Sequence, residues 1–323
     1  MKVLNLTNLE HSDIKYKVSL FPDGQQDIQL IDTKPSIPYL CLNSEGGDGL
    51  IDWAVKEGIK IKSHFNSFKD LELMICTANA LRRMGVKERH LYIPYLLGAR
   101  SDRQFNKGGN SYLVDIIAPQ LNQTVKEIDG EVRNLFSSVT VIDAHSDVAS
   151  ACINNLNVID NVNVVKFALT DLIAPAVGLT QTVIVSPDAG AMKKIYHVAE
   201  SIKFTGDILI ASKHRDIKTG KILSTDVPLK PSHSGKDFII IDDICDGGRT
   251  FIEISKVISQ VYPYAKVYLI VTHGIFSAGF GELTEWFDGI YCTNSIMDIQ
   301  EYTTDNSGTG KIIKTKVKQL NVF

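Results

Sequence analysis

An α/β protein, with mainly parallel sheets flanked by helices and two comparable halves, is what this sequence predicts. Three observations carry that reading. Short runs that are apolar throughout recur along the chain, as strands buried on both faces require. Segments with helical spacing separate them. A length of 323 residues, 44% of them hydrophobic, suits two cores at roughly 100–200 residues per domain. In the first half, 38–42, 90–95 and 139–143 read as strands. Between the first two, residues 68–84 set Leu71, Met74, Ile75, Ala78 and Leu81 at helical spacing. In the second half, 182–186, 208–211, 238–241 and 267–271 are the strands, and 190–202, 250–261 and 278–286 the helices. The Asn-rich stretch 154–163 reads as a connector, with the halves dividing around 150–165. Residues 213–236, rich in Lys, His, Ser and Gly, read as a mobile loop or a hairpin, and 303–311 as an exposed turn region.

Composition excludes several classes. Against 37 acidic residues stand 34 Lys and Arg, a net charge of −3, which argues against a nucleic-acid surface. The N-terminus, MKVLNLTNLEHSD, has no signal-like apolar stretch. No run approaches the roughly 20 apolar residues of a membrane span, so a soluble cytoplasmic protein without a membrane partner is expected. The five cysteines lie far apart with no C-x-x-C pair, which fits a reducing compartment rather than a disulfide or zinc framework. There is no G-x-x-x-x-G-K-[ST], no Rossmann G-x-G-x-x-G in a suitable setting and no H-E-x-x-H.

The most informative segment is Phe238-Ile-Ile-Ile-Asp-Asp-Ile-Cys-Asp-Gly-Gly-Arg-Thr250. A buried strand ends in two adjacent carboxylates, then a glycine turn opens a helix. Ligands of open α/β sheets bind outside the carboxyl ends of strands. Glycines let backbone N–H groups approach a phosphate, and the helix N-terminus favours anionic charge. Asp242 and Asp243 suit ribose hydroxyls or a divalent cation beside that phosphate; the plain alternative is a capped helix with two solvated aspartates.

This segment resembles the binding motif for 5-phosphoribosyl 1-pyrophosphate (PRPP) in type I phosphoribosyltransferases, and more closely that of ribose-phosphate pyrophosphokinases, which reads approximately DDIIDTAGT. Five further segments fit the latter family in order: Phe21-Pro-Asp-Gly-Gln25 its FSDGE, Ile93-Pro-Tyr-Leu-Leu-Gly-Ala-Arg-Ser-Asp-Arg103 its IPYFGYARQDR, Ile142-Asp-Ala-His145 its MDLH, Val185-Ser-Pro-Asp-Ala-Gly-Ala191 its VSPDxGG, and Thr272-His-Gly-Ile-Phe-Ser277 its THGVLS. The resemblance spans roughly residues 18 to 296 and six ordered motifs make it specific. It implies two tandem type I phosphoribosyltransferase-like domains, 1–155 and 156–323, the second carrying the DDICDGGRT motif, with the active site at their junction. It implies transfer of the β,γ-diphosphate of ATP, with Mg²⁺, to the C1 hydroxyl of ribose 5-phosphate.

Residue by residue, the resemblance assigns Lys213 and Arg215 to catalysis. It assigns Phe21, Asp23, Gln25, Arg100, Asp102, Arg103 and His145 to ATP. Asp188, Asp242, Asp243, Asp246, Gly247, Gly248, Arg249 and Thr250 would hold the ribose phosphate, and His145 and Asp188 the metal. In the family the Phe21 region reaches a neighbouring subunit, so a homo-oligomer, dimer or hexamer, is implied. Departures gather at the ligands: FPDGQ for FSDGE, RSDR for RQDR, Ala191 for glycine, and Gly-Gly-Arg in place of Thr-Ala-Gly. The added guanidinium brings a phosphate fork. It fits a 5′-substituted ribose such as ADP-ribose, and equally an arginine pointing to solvent. A phosphoribosyltransferase that consumes PRPP and a non-catalytic regulatory subunit are the other readings.

Overall fold

The computed structural model describes residues 1–31, 50–172, 179–215, 222–299 and 316–323, the side chains at 50–53, 213–215 and 222–223 excepted. The expected strand at 38–42 and turn region at 303–311 lie outside the described residues. The chain divides into two compact units, Met1–Ile159 with Phe323, and Asp160–Val322.

In the first unit, β1 (Lys2–Asn5) precedes a hairpin of β2 (Lys15–Leu20) and β3 (Gln26–Ile31). Then come α1 (Leu50–Glu57), β4 (Ile59–Lys62), α2 (Phe68–Arg83), β5 (Arg89–Tyr92), a π-helical segment Tyr112–Ile117 and α3 (Ala118–Leu121). A second hairpin, β6 (Thr124–Lys126) and β7 (Val132–Asn134), leads to β8 (Ser138–Ile142), α4 (Val148–Cys152) and β9 (Leu156–Ile159). The sheet runs β1-β4-β5-β8-β9, parallel throughout. Its buried residues Leu4, Ile59, Ile61, Leu91, Val139 and Val141 share a core with Leu71, Met74, Ala78 and Leu81 of α2, the stripe read from the sequence. A reciprocal capping box between Ser67 and Asp70 starts α2, satisfying two amides that the first turn leaves open. Arg89, wholly buried, pairs with Glu127 at 2.5 Å and donates to the Leu135 carbonyl at 2.8 Å, fastening β5 to the second hairpin. Such a pair resists single substitutions, because losing one partner strands a buried charge at a cost of about 3–5 kcal/mol.

The second unit holds α5 (Val162–Leu172), β10 (Thr182–Ser186), α6 (Met192–Ser201), β11 (Ile208–Ile210), and a hairpin of β12 (Ser212–Arg215) and β13 (Ile222–Asp226). After these follow β14 (Asp237–Cys245), α7 (Arg249–Val261), β15 (Val267–Gly274), α8 (Gly281–Trp286), β16 (Gly289–Thr293) and β17 (Val317–Leu320). Its sheet runs β11-β10-β14-β15-β16-β17, again parallel. Strand alternation sends Phe238 and Ile240 to a core shared with Phe251, Ile252 and Ile254 of α7. Ile239 and Ile241 go to the other core, with Val164, Val165 and Ala168 of α5 and Ile195 and Val198 of α6. Both faces are covered, which is why β14 reads as an unbroken apolar run.

Three expectations need correction. The Asn-rich stretch 154–163 does hold the division between the units, after Ile159, but it is structured: it contains β9, paired in register with β8, and opens α5. The predicted strand 238–241 continues to Cys245, so Asp242 and Asp243 lie inside β14. The helix expected over 278–286 starts only at Gly281, after Gly279 adopts a left-handed φ of +73°. Residues 213–236 do contain a hairpin, β12–β13.

Candidate functional site

The site in the second unit follows from strand order. β10 and β14 are neighbours, but the chain continues from β10 to β11 on one flank and from β14 to β15 on the other. The connections therefore leave in opposite directions and open a crevice beyond the carboxyl ends, where open α/β sheets bind ligands. Asp188 lies past the end of β10; Asp242 and Asp243 lie in the C-terminal half of β14.

Asp188 is exposed, and its Oδ1 accepts from the backbone N–H groups of Gly190 at 2.9 Å and Ala191 at 3.2 Å. It shapes its own loop rather than capping α6, which has no side-chain cap. Asp243 is 6% exposed; its backbone N–H donates to Asp242 Oδ1 at 2.9 Å, and its Oδ2 meets Lys194 Nζ of α6 at 3.3 Å. Burial, then the charges of Asp243 and Asp188, hold the Asp242 carboxyl well above the usual carboxylate range. Three carboxylates thus converge at one sheet edge. A site that must bind hydroxyls or a cation next to phosphate has use for that arrangement.

The loop that follows forms the other half. Gly248 precedes α7 at φ +81°, and a Cβ there would lie 2.7 Å from Leu283 Cδ2; backbone conformation and space both demand glycine. Gly247 carries no such demand, since a Cβ would make only ordinary contact with Ser277 and Ala278. No side chain caps α7, so its first turn keeps backbone N–H groups for an anion. Thr250 is half-buried in that turn, while Arg249 is exposed, and among the described residues its guanidinium has no hydrogen bond or ion pair. From the adjoining loop, Ser277 Oγ donates to Asp246 Oδ1 at 2.6 Å and the Ile275 N–H to the Cys245 carbonyl at 2.8 Å. His273 is buried and bonded through Nδ1 to Ser295 Oγ at 2.8 Å, a brace behind the site. Burial pushes the Cys245 thiol far up, which removes it as a nucleophile at neutral pH.

The first unit gathers another set at the ends of β5 and β8. Ser146 Oγ donates to Asp102 Oδ2 at 2.6 Å, which joins the Arg100–Arg103 segment to the loop bearing His145. Arg100 and His145 are exposed. Arg103 lies 4.0 Å from Asp102 and 5.4 Å over the ring of exposed Phe105. Phe21, Asp23 and Gln25 form the tight turn between β2 and β3, with Gly24 at φ +91° and the Phe21 N–H donating to the Gln25 carbonyl at 2.8 Å. Gln26 beside it donates through Nε2 to the Lys69 carbonyl at 2.7 Å, which secures the hairpin to α2. Lys213 and Arg215 belong to β12; their side chains lie outside the described residues.

Sequence reasoning missed Lys194, Ser146 and Ser277 as site residues. Only Ser277 had a signal, as the last residue of the Thr272–Ser277 motif. Among the described residues, no three His, Cys, Asp or Glu side chains group to hold a metal ion by themselves, and no helix is long and apolar enough to cross a membrane.

Comparisons with known proteins bear on the family and the fold. The phosphoribosyl transferase domain family matches residues 158–277, which hold the acidic cluster and the glycine loop. The ribose-phosphate pyrophosphokinase of Pyrococcus furiosus is 22% identical over 311 residues, 90% of this chain and 87% of that protein. The protein of the same name from Thermoplasma acidophilum is 25% identical over 240 residues, 72% of this chain and 73% of its own. Among solved structures, phosphoribosylpyrophosphate synthetase from Mycobacterium smegmatis superposes with a TM-score of 0.69 at 16% identity, over 100% of this chain and 95% of that one. That last similarity is one of fold.

Proposed function

We propose, for a chain that belongs to the ribose-phosphate pyrophosphokinase family as a divergent member, that it converts ATP and ribose 5-phosphate to AMP and PRPP. The observation that carries this reading is the meeting of Asp188, Asp242 and Asp243 with the Gly248 turn and the uncapped start of α7 at one switch point. The carboxylates suit the ribose hydroxyls, and the turn with Thr250 suits the 5-phosphate. The C1 hydroxyl oxygen attacks the β-phosphorus of ATP and loses its proton. The bond from the β-phosphorus to the α,β-bridging oxygen breaks, and AMP leaves with that oxygen. Such transfer rests on positioning and charge neutralisation.

Asp188 offers the hard oxygen that Mg²⁺ prefers, an ion that keeps several waters and shares substrate phosphates. Magnesium bound there would neutralise phosphate charge. Lys213 and Arg215 would meet the diphosphoryl group in flight. Arg100, Arg103 and His145 would hold the ATP phosphates, with Asp102 keeping their loops together through Ser146. Phe21, Asp23 and Gln25 would contact adenine, from a second copy of the chain in a homo-oligomer.

A specific observation favours a second acceptor. Arg249 is exposed at the start of α7, where a second phosphate beyond the 5-phosphate would find a guanidinium; ADP-ribose is an acceptor of that kind. Incubating the protein with Mg·ATP and each acceptor, and weighing the products, tests both. A sugar product heavier by one diphosphate, together with AMP, is expected from ribose 5-phosphate. Gain on ADP-ribose alone would transfer the reading to the substituted acceptor. Absence of AMP with either would overturn it and leave the regulatory-subunit reading.

A further inference from the structure

Lys194 is not among the residues that the family motifs bring to the site, yet it touches the acidic pair. It is in the first turn of α6, the helix that leaves β10, and its Nζ lies 3.3 Å from Asp243 Oδ2 in the C-terminal half of β14. The contact spans the crevice from one wall to the other. The side chain of Asp243 is 7% exposed and that of Lys194 is 32% exposed. The carboxylate is therefore shut in, while the ammonium reaches it from the rim.

The local charge balance gives this contact its meaning. Asp188, Asp242 and Asp243 stand together where the substrate's phosphate must also arrive. Like charges raise the energy of every anion brought near them, and a shut-in carboxylate without a cation is costly. Lys194, with its Nζ 3.3 Å from Asp243 Oδ2, brings a positive charge to that balance. Its bond also fixes Asp243 against the α6 wall. Asp242 is held by a different group, its Oδ1 accepting from the Asp243 backbone N–H at 2.9 Å.

We infer that Lys194 is a positioning residue for the sugar-phosphate acceptor: it neutralises and orients Asp243 without touching the reacting atoms. This rests on the diphosphokinase reading above. It concerns the acceptor alone, so the nucleotide side of the reaction serves as an internal control.

The test uses the full-length protein with Mg·ATP and ribose 5-phosphate. Lys194→Gln is expected to raise the KM for ribose 5-phosphate about tenfold or more, as truncating one partner of a shut-in charge pair does. The kcat and the KM for ATP should stay within about threefold, the signature of lost ground-state binding. Lys194→Arg keeps the charge at a contact made by a single nitrogen and should recover the acceptor KM to within about threefold. If Lys194 acts through Asp243, then adding Lys194→Gln to Asp243→Asn should change the acceptor KM less than about twofold. That double variant removes both charges, so it carries the test even where Lys194→Gln alone unfolds; thermal unfolding reports which case holds.

An unchanged acceptor KM in folded Lys194→Gln, or full additivity in the double variant, overturns the assignment of Lys194 and leaves the reaction standing. A loss confined to kcat also overturns it. If the parent protein releases no AMP and calorimetry detects no binding of ribose 5-phosphate, the reading of the function itself fails, and Lys194 with it.

Discussion

The two parallel sheets are built from the same kind of strand but wound differently. In the first unit the described strands lie side by side in the order in which they occur, β1-β4-β5-β8-β9. Among the described strands, no neighbouring pair sends its connections in opposite directions. The second unit reverses between β10 and β14, and the divergence opens a crevice. The contents follow the winding. The reversed sheet holds an acidic cluster with Asp243 shut in and a glycine turn. The other rim carries exposed side chains, Arg100, Arg103, Phe105 and His145. On the proposed function, the sugar phosphate would take the first kind of edge and the nucleotide the second.

The sharpest way to break that division is at the chemistry. Lys213→Ala should lower kcat by about 10³-fold, the scale of a lost cation at a phosphoryl-transfer transition state, with both KM values nearly unchanged in steady-state assays. Should acceptor KM rise with it, the hairpin belongs to the sugar-phosphate edge. Next in size is Gly248→Ala, which combines a left-handed backbone with a 2.7 Å approach to Leu283 and should raise acceptor KM about ten- to a hundredfold at unchanged ATP KM. Its mirror is Arg100→Gln, expected to raise ATP KM about tenfold and leave the acceptor alone. Crossed effects in these two kinetic series would dissolve the distinction.

Stability gives a smaller but directional test. The folded protein holds the Asp242 proton more tightly than an unfolded chain does. Its contribution to stability is therefore fully present below the ordinary carboxylate range and lost as pH rises through the raised value. Metal-free Asp242→Asn, which keeps the acceptor for the Asp243 N–H, should melt higher than the parent at neutral pH. The difference should shrink as pH falls, in melts from about pH 8 to about pH 4 with chelator present. A variant that melts lower at neutral pH would mean the acidic cluster carries no strain. Smallest of all, Arg249→Gln should alter the KM for ribose 5-phosphate by less than about twofold, because an exposed guanidinium contributes little. A larger loss with ADP-ribose than with ribose 5-phosphate would give the arginine a partner.

Much of this was legible in the residues, for physical reasons. Strands covered on both faces must be apolar at every position, which made β10, β14 and β15 visible. The stripe of α2 was visible for the same reason. By contrast β9, Leu-Asn-Val-Ile at a sheet edge, is mostly exposed and hid inside an Asn-rich stretch. β16 is wholly buried, but Gly-Ile-Tyr-Cys-Thr mixes residue types and escaped notice. The aspartates and the glycine turn could be named because they share one short segment. Lys194 could not: a lysine near the start of a helix reads as a solvated side chain until β10 and β14 become neighbours. Strand order is a property of the folded chain, and the crevice depends on it.

One contact, between Gly248 and Leu283, reaches into how this chain can change over generations. The turn owes its shape to a glycine whose missing side chain is replaced by a leucine from α8. Shrinking the leucine would open room but not relieve the left-handed backbone. Replacing the glycine first would collide with the leucine. Neither order of single steps leads to an ordinary residue at 248 without passing through a damaged intermediate, so this corner is closed to gradual mutation.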